Sequence, residues 1–132
     1  MIVMRQQDET AFETIILGEP ASKANSRRSV LIGGKPRFIK SKKALEYEKV
    51  FIAQCPIINP LIEGDVFINI TIYYRTRRPD LDPSLIYDLL QGRAYINDRQ
   101  VKGFLCLHAL DSENPRALIK VSLMEGIHVE SV

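Results

Sequence analysis

The run Val66–Tyr74 (VFINITIYY) sets the tightest limit on what this chain can fold into. Val66, Ile68, Ile70, Ile72 and Tyr74 alternate with Phe67, Asn69, Thr71 and Tyr73. Residues two apart on extended backbone share a face, so the run reads as a strand with one strongly apolar side. Its β-branched and aromatic content suits a central position in a sheet.

The remaining elements follow from local signals. Phe12–Leu17 (FETIIL) is β-prone and ends at Gly18. Glu19–Arg28 is rich in turn formers and cations, and therefore a loop. Val30–Ile32 and Arg37–Ile39 flank Gly33-Gly34, a hairpin signal. Ser41 can N-cap a helix over Lys42–Gln54, with Leu45, Tyr47, Val50, Phe51 and Ala53 as its buried stripe. Pro56 and Pro60 mark a linker. Asp82-Pro83 reads as N-cap and first position of a second helix that runs to Gln91 and stops at Gly92. Tyr95–Gln100 is a turn segment, and Val101–Ala109 and Ala117–Met124 are strands joined by the loop Asp111–Pro115. Residues 1–11 read as a loose start. The order predicts an α+β fold: a mixed or antiparallel sheet with two main helices packed on it.

The chain has 132 residues, 45% hydrophobic and 26% charged, which fits one domain over residues 1–132 with a core of its own. No apolar run reaches the ~18 residues of a membrane helix, and MIVMRQQDET lacks the apolar stretch of a signal peptide. The expected location is cytoplasmic, without a membrane partner. Cys55 and Cys106 have no motif spacing and read as reduced thiols. His108 and His128 are far apart and lack neighbouring cysteines, which argues against zinc.

Net charge is only +2, but its distribution is uneven. No Asp or Glu lies between Glu19 and Glu46, a window carrying Lys23, Arg27, Arg28, Lys35, Arg37, Lys40, Lys42 and Lys43. Arg75, Arg77 and Arg78 form a second cluster. Such clustering marks either a surface for a polyanion or a solvated basic loop. Lys23, Arg27, Arg28, Lys42, Lys43, Arg77 and Arg78 are the candidates for contact with such a polyanion.

The chemistry concentrates in Arg77-Arg78-Pro79-Asp80-Leu81-Asp82-Pro83. Two carboxylates two apart face the same way on extended backbone and repel each other. A divalent cation relieves that repulsion, and hard oxygen ligands suit Mg²⁺. Asp98 follows the next helix, which is short enough for the chain to return, so Asp80, Asp82 and Asp98 are expected to converge at one end of the sheet. A metal-binding triad beside basic surfaces suits phosphodiester hydrolysis. Plainer roles stay open: Asp82 as a helix cap, Asp80 and Asp98 as turn residues, Asp88 as an exposed helix carboxylate or a neighbour of the cluster. Tyr73, Tyr74 and Tyr95 offer base-stacking surfaces, although core packing accounts for at least two of them.

These residues resemble the RusA family of Holliday junction resolvases. The family pattern is similar to Asp-x-Asp-Asn-x-x-Lys, then Asp-Ala-Leu in a helix, then Asp-Asp-x-Gln-Val/Ile. Here stand Asp80-Leu81-Asp82, then Asp88-Leu89-Leu90, then Asn97-Asp98-Arg99-Gln100-Val101. Pro20-Ala21-Ser22-Lys23-Ala24-Asn25-Ser26-Arg27 resembles the family's N-terminal loop, and Lys42–Tyr47 its first helix. The resemblance runs from about Phe12 to Met124 and implies a dimeric endonuclease, of the phage or prophage type, that cuts four-way junctions with Mg²⁺, or with Mn²⁺ in its place. It assigns the metal to Asp80, Asp82 and Asp98, and DNA contact to Lys23, Arg27 and Arg28.

Two departures bear on activity. The family Asn falls on Pro83 and the family Lys on Ile86. Asn97 also replaces the first Asp of the later pair, and the segment between Asp82 and Asp98 is slightly shorter than usual. Lys102 is the first candidate to replace the catalytic lysine and Lys43 the second. Without a replacement, the chain would bind branched DNA without cutting it. A phage interaction or structural protein with an incidental acidic pair is the third reading, and it predicts no salt-dependent DNA affinity.

Overall fold

The alternation in Val66–Tyr74 carries directly into the three-dimensional arrangement. The computed structural model describes residues 2–6, 10–22, 25–124 and 127–131. Its strands are β1 (Ile2–Gln6), β2 (Thr10–Leu17), β3 (Arg27–Ile32), β4 (Lys35–Lys40), β5 (Val66–Tyr74), β6 (Val101–Leu110), β7 (Arg116–Leu123) and β8 (Ile127–Ser131). Its helices are α1 (Lys42–Gln54) and α2 (Ser84–Leu90), with a 3₁₀ turn at Asp98–Gln100. The fold is α+β, with a mixed main sheet in the order β2-β7-β5-β6. β5 is central: it pairs antiparallel with β7 and parallel with β6.

Ile68, Ile70, Ile72 and Tyr74 are fully buried, whereas Asn69, Thr71 and Tyr73 are half-buried. The buried side joins Tyr47 and Phe51 of α1 and Ile86 and Leu90 of α2 in one cluster. Complete burial of each such side chain contributes about 1.5–3 kcal/mol, so this helix-covered face holds the sheet together. Among the described residues no helix covers the other face, which leaves Ile15, Leu17, Leu105 and Leu107 exposed.

Helix α1 has the expected bounds, and the Ser41 side chain accepts from the Ala44 N–H at its start. Its buried stripe differs from the expected one. Ala44, Tyr47 and Phe51 are buried, while Leu45, Val50 and Ala53 are exposed. The i, i+3, i+7 spacing of 44, 47 and 51 continues to the buried Cys55. Local pattern left two faces competing, and packing against the sheet selects the one with the aromatic rings.

Four other expectations shift. Residues 2–6 form a strand rather than a loose start, because β1 pairs antiparallel with β8. That partner lies at the far end of the chain, beyond any local signal. Pro83, not Asp82, takes the cap position of α2, although the Asp82 Oδ1 still accepts from the Ser84 N–H at 3.1 Å. Helix α2 ends at Leu90, and Gly92 turns the chain with φ 83°. The β3–β4 hairpin is longer than expected and turns through Gly33 (φ 58°) and Gly34 (φ 77°), the left-handed pair that a two-residue turn requires.

Phe51→Ala is expected to cost about 3–5 kcal/mol in urea unfolding, as for other buried aromatic truncations. Leu45→Ala is expected to stay within about 0.5 kcal/mol, because its side chain is exposed. Equal losses would mean that α1 packs on the other face.

Candidate active site

The site is built from the loop that leaves the top of β5. Tyr74 ends the strand with its ring fully buried. Its hydroxyl donates to the Asp80 carbonyl at 3.5 Å and accepts from the Asp82 N–H at 3.4 Å. Burial pushes the Tyr74 phenol up to about 12, so it keeps its proton and serves both bonds at neutral pH. His108 of β6 stacks on this ring with centroids 4.4 Å apart, and its Nε2 lies 3.0 Å from the Pro79 carbonyl oxygen. Two aromatic rings rooted in neighbouring strands therefore bracket the backbone on either side of Asp80. Neither role was anticipated for Tyr74 or His108; the contacts need the loop to fold back over the sheet, which no local spacing signals.

The Asp80 side chain is exposed. Asp82 is half-buried, and its Oδ1 accepts from the Ser84 hydroxyl at 2.6 Å. Its Oδ2 lies 3.5 Å from the Ser26 hydroxyl, at the foot of the basic hairpin. The Asp82 charge also helps raise the Cys106 thiol to about 11, after burial, the larger cause. Asp82 thus sits where the carboxylate loop, α2 and β3 meet.

Asp98 stands elsewhere. It opens the 3₁₀ turn just before β6, exposed, with its N–H donating to Gln91 Oε1 at 3.0 Å. Asn97 caps that turn and shares a capping box with Gln100. The Gln100 amide is itself held by the Ile62 and Gly64 carbonyls at 2.7 and 2.8 Å. This explains an Asn before Asp98: the side chain accepts from the Arg99 N–H at 2.9 Å. Parallel pairing matches Val66 with Val101 and Tyr74 with Leu110. Asp98 therefore belongs to the beginning of β5, and the Asp80–Asp82 loop leaves from its end. At about 3.3 Å per residue those strand ends are roughly 26 Å apart. The expected convergence within one chain is not found: among the described residues, no three His, Cys, Asp or Glu side chains stand close enough to hold a metal together.

The lysine candidates divide in the same way. Lys102, exposed, lies two residues after the 3₁₀ turn, at the Asp98 end. Lys43 lines a cavity of about 460 Å³ together with Glu19, Asn25, Tyr47 and Pro79, on the Asp80 side. Ile86 is fully buried in α2, so the position that carries lysine in the family pattern points into the core here. Arg27, Arg28, Lys42, Lys43, Arg77 and Arg78 are all exposed, and Lys23 lies outside the described residues. Asp88 is exposed and shares a shallow crevice with Ser26, Arg27 and Lys40. Tyr74 and Tyr95 are core residues, while Tyr73 lies on the open face under the Arg116 guanidinium, 3.9 Å from its ring centre.

A family model, endodeoxyribonuclease RusA, matches residues 18–122. The chain belongs to the RusA family. The match runs from the end of β2 to β7 and takes in the basic hairpin, both helices and all three aspartates. Membership makes the chain an endodeoxyribonuclease, a hydrolase of DNA phosphodiester bonds, and implies Holliday junction resolution. No curated protein matches it. No helix among the described residues is long and apolar enough to cross a membrane.

Removing the Tyr74 hydroxyl tests the bracket. Tyr74→Phe is expected to cost about 1 kcal/mol in thermal unfolding, the net worth of a hydrogen-bonding group. If the bracket positions Asp80 and Asp82, the same change raises the divalent-ion concentration needed for half-maximal DNA cleavage. An unchanged ion requirement would confine Tyr74 to the core.

Proposed function

We propose that this chain is a divalent-metal-dependent resolvase that works as a homodimer, with each active site assembled from two copies. Asp80 and Asp82 of one subunit and Asp98 of the partner subunit are the proposed ligands, for Mg²⁺ or Mn²⁺. The observation that supports the reading is that Asp80 and Asp82 follow the end of β5 and Asp98 precedes the start of β6, with no three-ligand cluster among the described residues and β6 exposed beside them. β6 is an edge strand, and Phe104, Leu105, Leu107 and Leu110 are all exposed along it. A long apolar edge is a template for pairing with another strand. Two-fold antiparallel pairing of β6 with its copy would bring the start of one strand to the end of the other. Asp98 and Lys102 of the partner subunit then approach Leu110, His108 and the Pro79–Asp80 backbone.

The donor set fits a hard cation. Asp80 is exposed and its carboxylate has no hydrogen bond or ion pair among the described residues, and Asp82 Oδ2 has only the long contact to Ser26. Carboxylate oxygens suit Mg²⁺ rather than a softer ion. When bound, the cation would supply charge neutralisation at the scissile phosphate and a more acidic water. The chain's own residues do the rest. Ser84 and Ser26 orient Asp82, Tyr74 and His108 hold the backbone around Asp80, and the exposed cations place the phosphates. Lys102 of the partner subunit is placed to offset charge at the leaving oxygen, with Lys43 the alternative from the same subunit. Paired sites suit the two-fold symmetry of a four-way junction. We place the protein in the cytoplasm, where branched DNA is made and free Cys55 and Cys106 stay reduced.

One observation favours a second reading, in which the chain binds junctions without cutting: the family lysine position is the buried Ile86. Cleavage of a labelled four-way junction in Mg²⁺, Mn²⁺ or EDTA separates the two. Paired nicks only with metal are expected; tight binding without nicks under any ion would support the second reading.

Mixing subunits tests the shared site. Asp82→Asn and Asp98→Asn proteins are each expected to be inactive. Mixed and re-equilibrated, half the dimers would be hybrids with one intact composite site, so about a quarter of sites recover, as single nicks. No recovery would show that each site is made by one chain.

A further inference from the structure

We propose that the β3–β4 hairpin is a wedge that enters the branch point of the DNA, with Phe38 and Leu31 packing on bases whose stacking the junction has broken. The proposal deepens the junction-endonuclease reading and rests on it for the identity of the DNA.

The hairpin is a two-stranded sheet of its own and pairs with no other strand among the described residues. Register places Ser29 with Phe38 and Leu31 with Pro36 on one face, and Arg28 with Ile39, Val30 with Arg37 and Ile32 with Lys35 on the other. The apolar side chains are not tucked away. Phe38 is 77% exposed, Leu31 76% and Ile32 57%. A lone hairpin is only marginally stable in water, so apolar groups displayed along it call for a partner.

Charge selects that partner. Arg27, Arg28, Lys35 and Arg37 are exposed on the same two strands, and no Asp or Glu lies between Glu19 and Glu46. A second copy of this hairpin would set cations against cations. A polyanion that also offers flat apolar surface fits both features, and DNA offers such surface where base stacking is interrupted. Apolar wedges inserted between base steps are a recurrent way of holding bent or opened DNA, and stacking on an aromatic side chain contributes about 1–3 kcal/mol per base.

Position supports the same partner. The foot of the hairpin is tied to the proposed site: Ser26 contacts Asp82, the Ser41 N–H donates to the Ser26 carbonyl at 3.0 Å, and Lys40 pairs with Glu48 of α1 at 3.0 Å. Phe38 lies two residues from Lys40 and Leu31 four from Arg27. At about 3.4 Å per residue, the wedge begins roughly 7–14 Å along the strands from the foot of the hairpin, where Ser26 meets Asp82. That is about two to four nucleotides along a strand, so the cut falls close to the branch point.

The test is a four-way junction carrying 2-aminopurine at the branch point, bound by the full-length protein in EDTA so that no cutting occurs. Unstacking raises the fluorescence. The Phe38→Ser/Leu31→Ser double variant is expected to lose most of that rise, about fivefold or more, while its affinity for linear duplex stays within about twofold. Retained duplex binding shows that the variant is folded. The Arg28→Ala/Arg37→Ala variant is expected to do the converse: weaker binding to junction and duplex alike, with the salt slope falling by about one per cation removed. The wedge is overturned if the serine variant keeps the full fluorescence rise, or if sedimentation shows that it turns dimers into monomers, which would make this face a protein interface. If the wild type gives a Phe38-dependent rise but never nicks the junction in any metal, the cleavage reading fails and the wedge stands. If it nicks without any rise, the wedge fails and the cleavage reading stands.

Discussion

Parallel pairing between β5 and β6 is the constraint on which the rest of the molecule depends. Two parallel strands cannot be joined by a tight turn; the chain must cross back over the sheet. Here the crossing is α2, with Ile86 and Leu90 buried against the same core as β5. The crossing sets the address of every carboxylate. Asp80 and Asp82 precede it and leave from the end of β5, while Asp98 follows it at the start of β6. An antiparallel pairing at this edge would have allowed a short return and a compact triad. The parallel neighbour instead makes a pair, exposed Asp80 and half-buried Asp82, after the end of β5, and a single exposed Asp98 before the start of β6.

Tyr74 joins that framework to the chemistry. Its ring belongs to the core and its hydroxyl to the loop, so the packing that stabilises the sheet also fixes the backbone of Asp80 and Asp82. The bonds are long, and the His108 ring stacked alongside adds a second hold through the Pro79 carbonyl. A loop held by backbone contacts keeps its carboxylates available, which a salt-bridged loop would not. The contrast with Asp111 is instructive: that carboxyl is drawn below its usual range, first by the Arg116 side chain, and serves only to close a turn.

Much of this was legible in the residues themselves. The β5 alternation, the Ser41 cap and the Gly33-Gly34 turn all rest on short-range rules, and each appears where it was read. What escaped depends on distant partners. β1 is invisible without β8. The expected stripe of α1, Leu45, Tyr47, Val50, Phe51 and Ala53, spans two faces because hydropathy alone cannot rank them, and the core takes only Tyr47 and Phe51 of it, with Ala44. The convergence of three aspartates was inferred from chain length across α2, whereas strand direction decides it. Length was visible in the sequence and direction was not.

Charge then sorts the apolar surface left over. Two of the apolar surfaces facing solvent are the hairpin with Leu31, Ile32 and Phe38, and β6 with Phe104, Leu105, Leu107 and Leu110. The hairpin carries Arg28, Lys35 and Arg37 beside Ile32 on one face and Phe38 and Leu31 on the other, while the β6 strand carries Lys102 alone at its start. An apolar surface among cations is suited to nucleic acid, whose charge and bases it meets together. An apolar strand edge with little charge is suited to another strand, because unpaired backbone groups and side chains are satisfied by the same contact. The division explains how a chain of net charge only +2 can serve a polyanion and a second copy of itself without the two competing for one face.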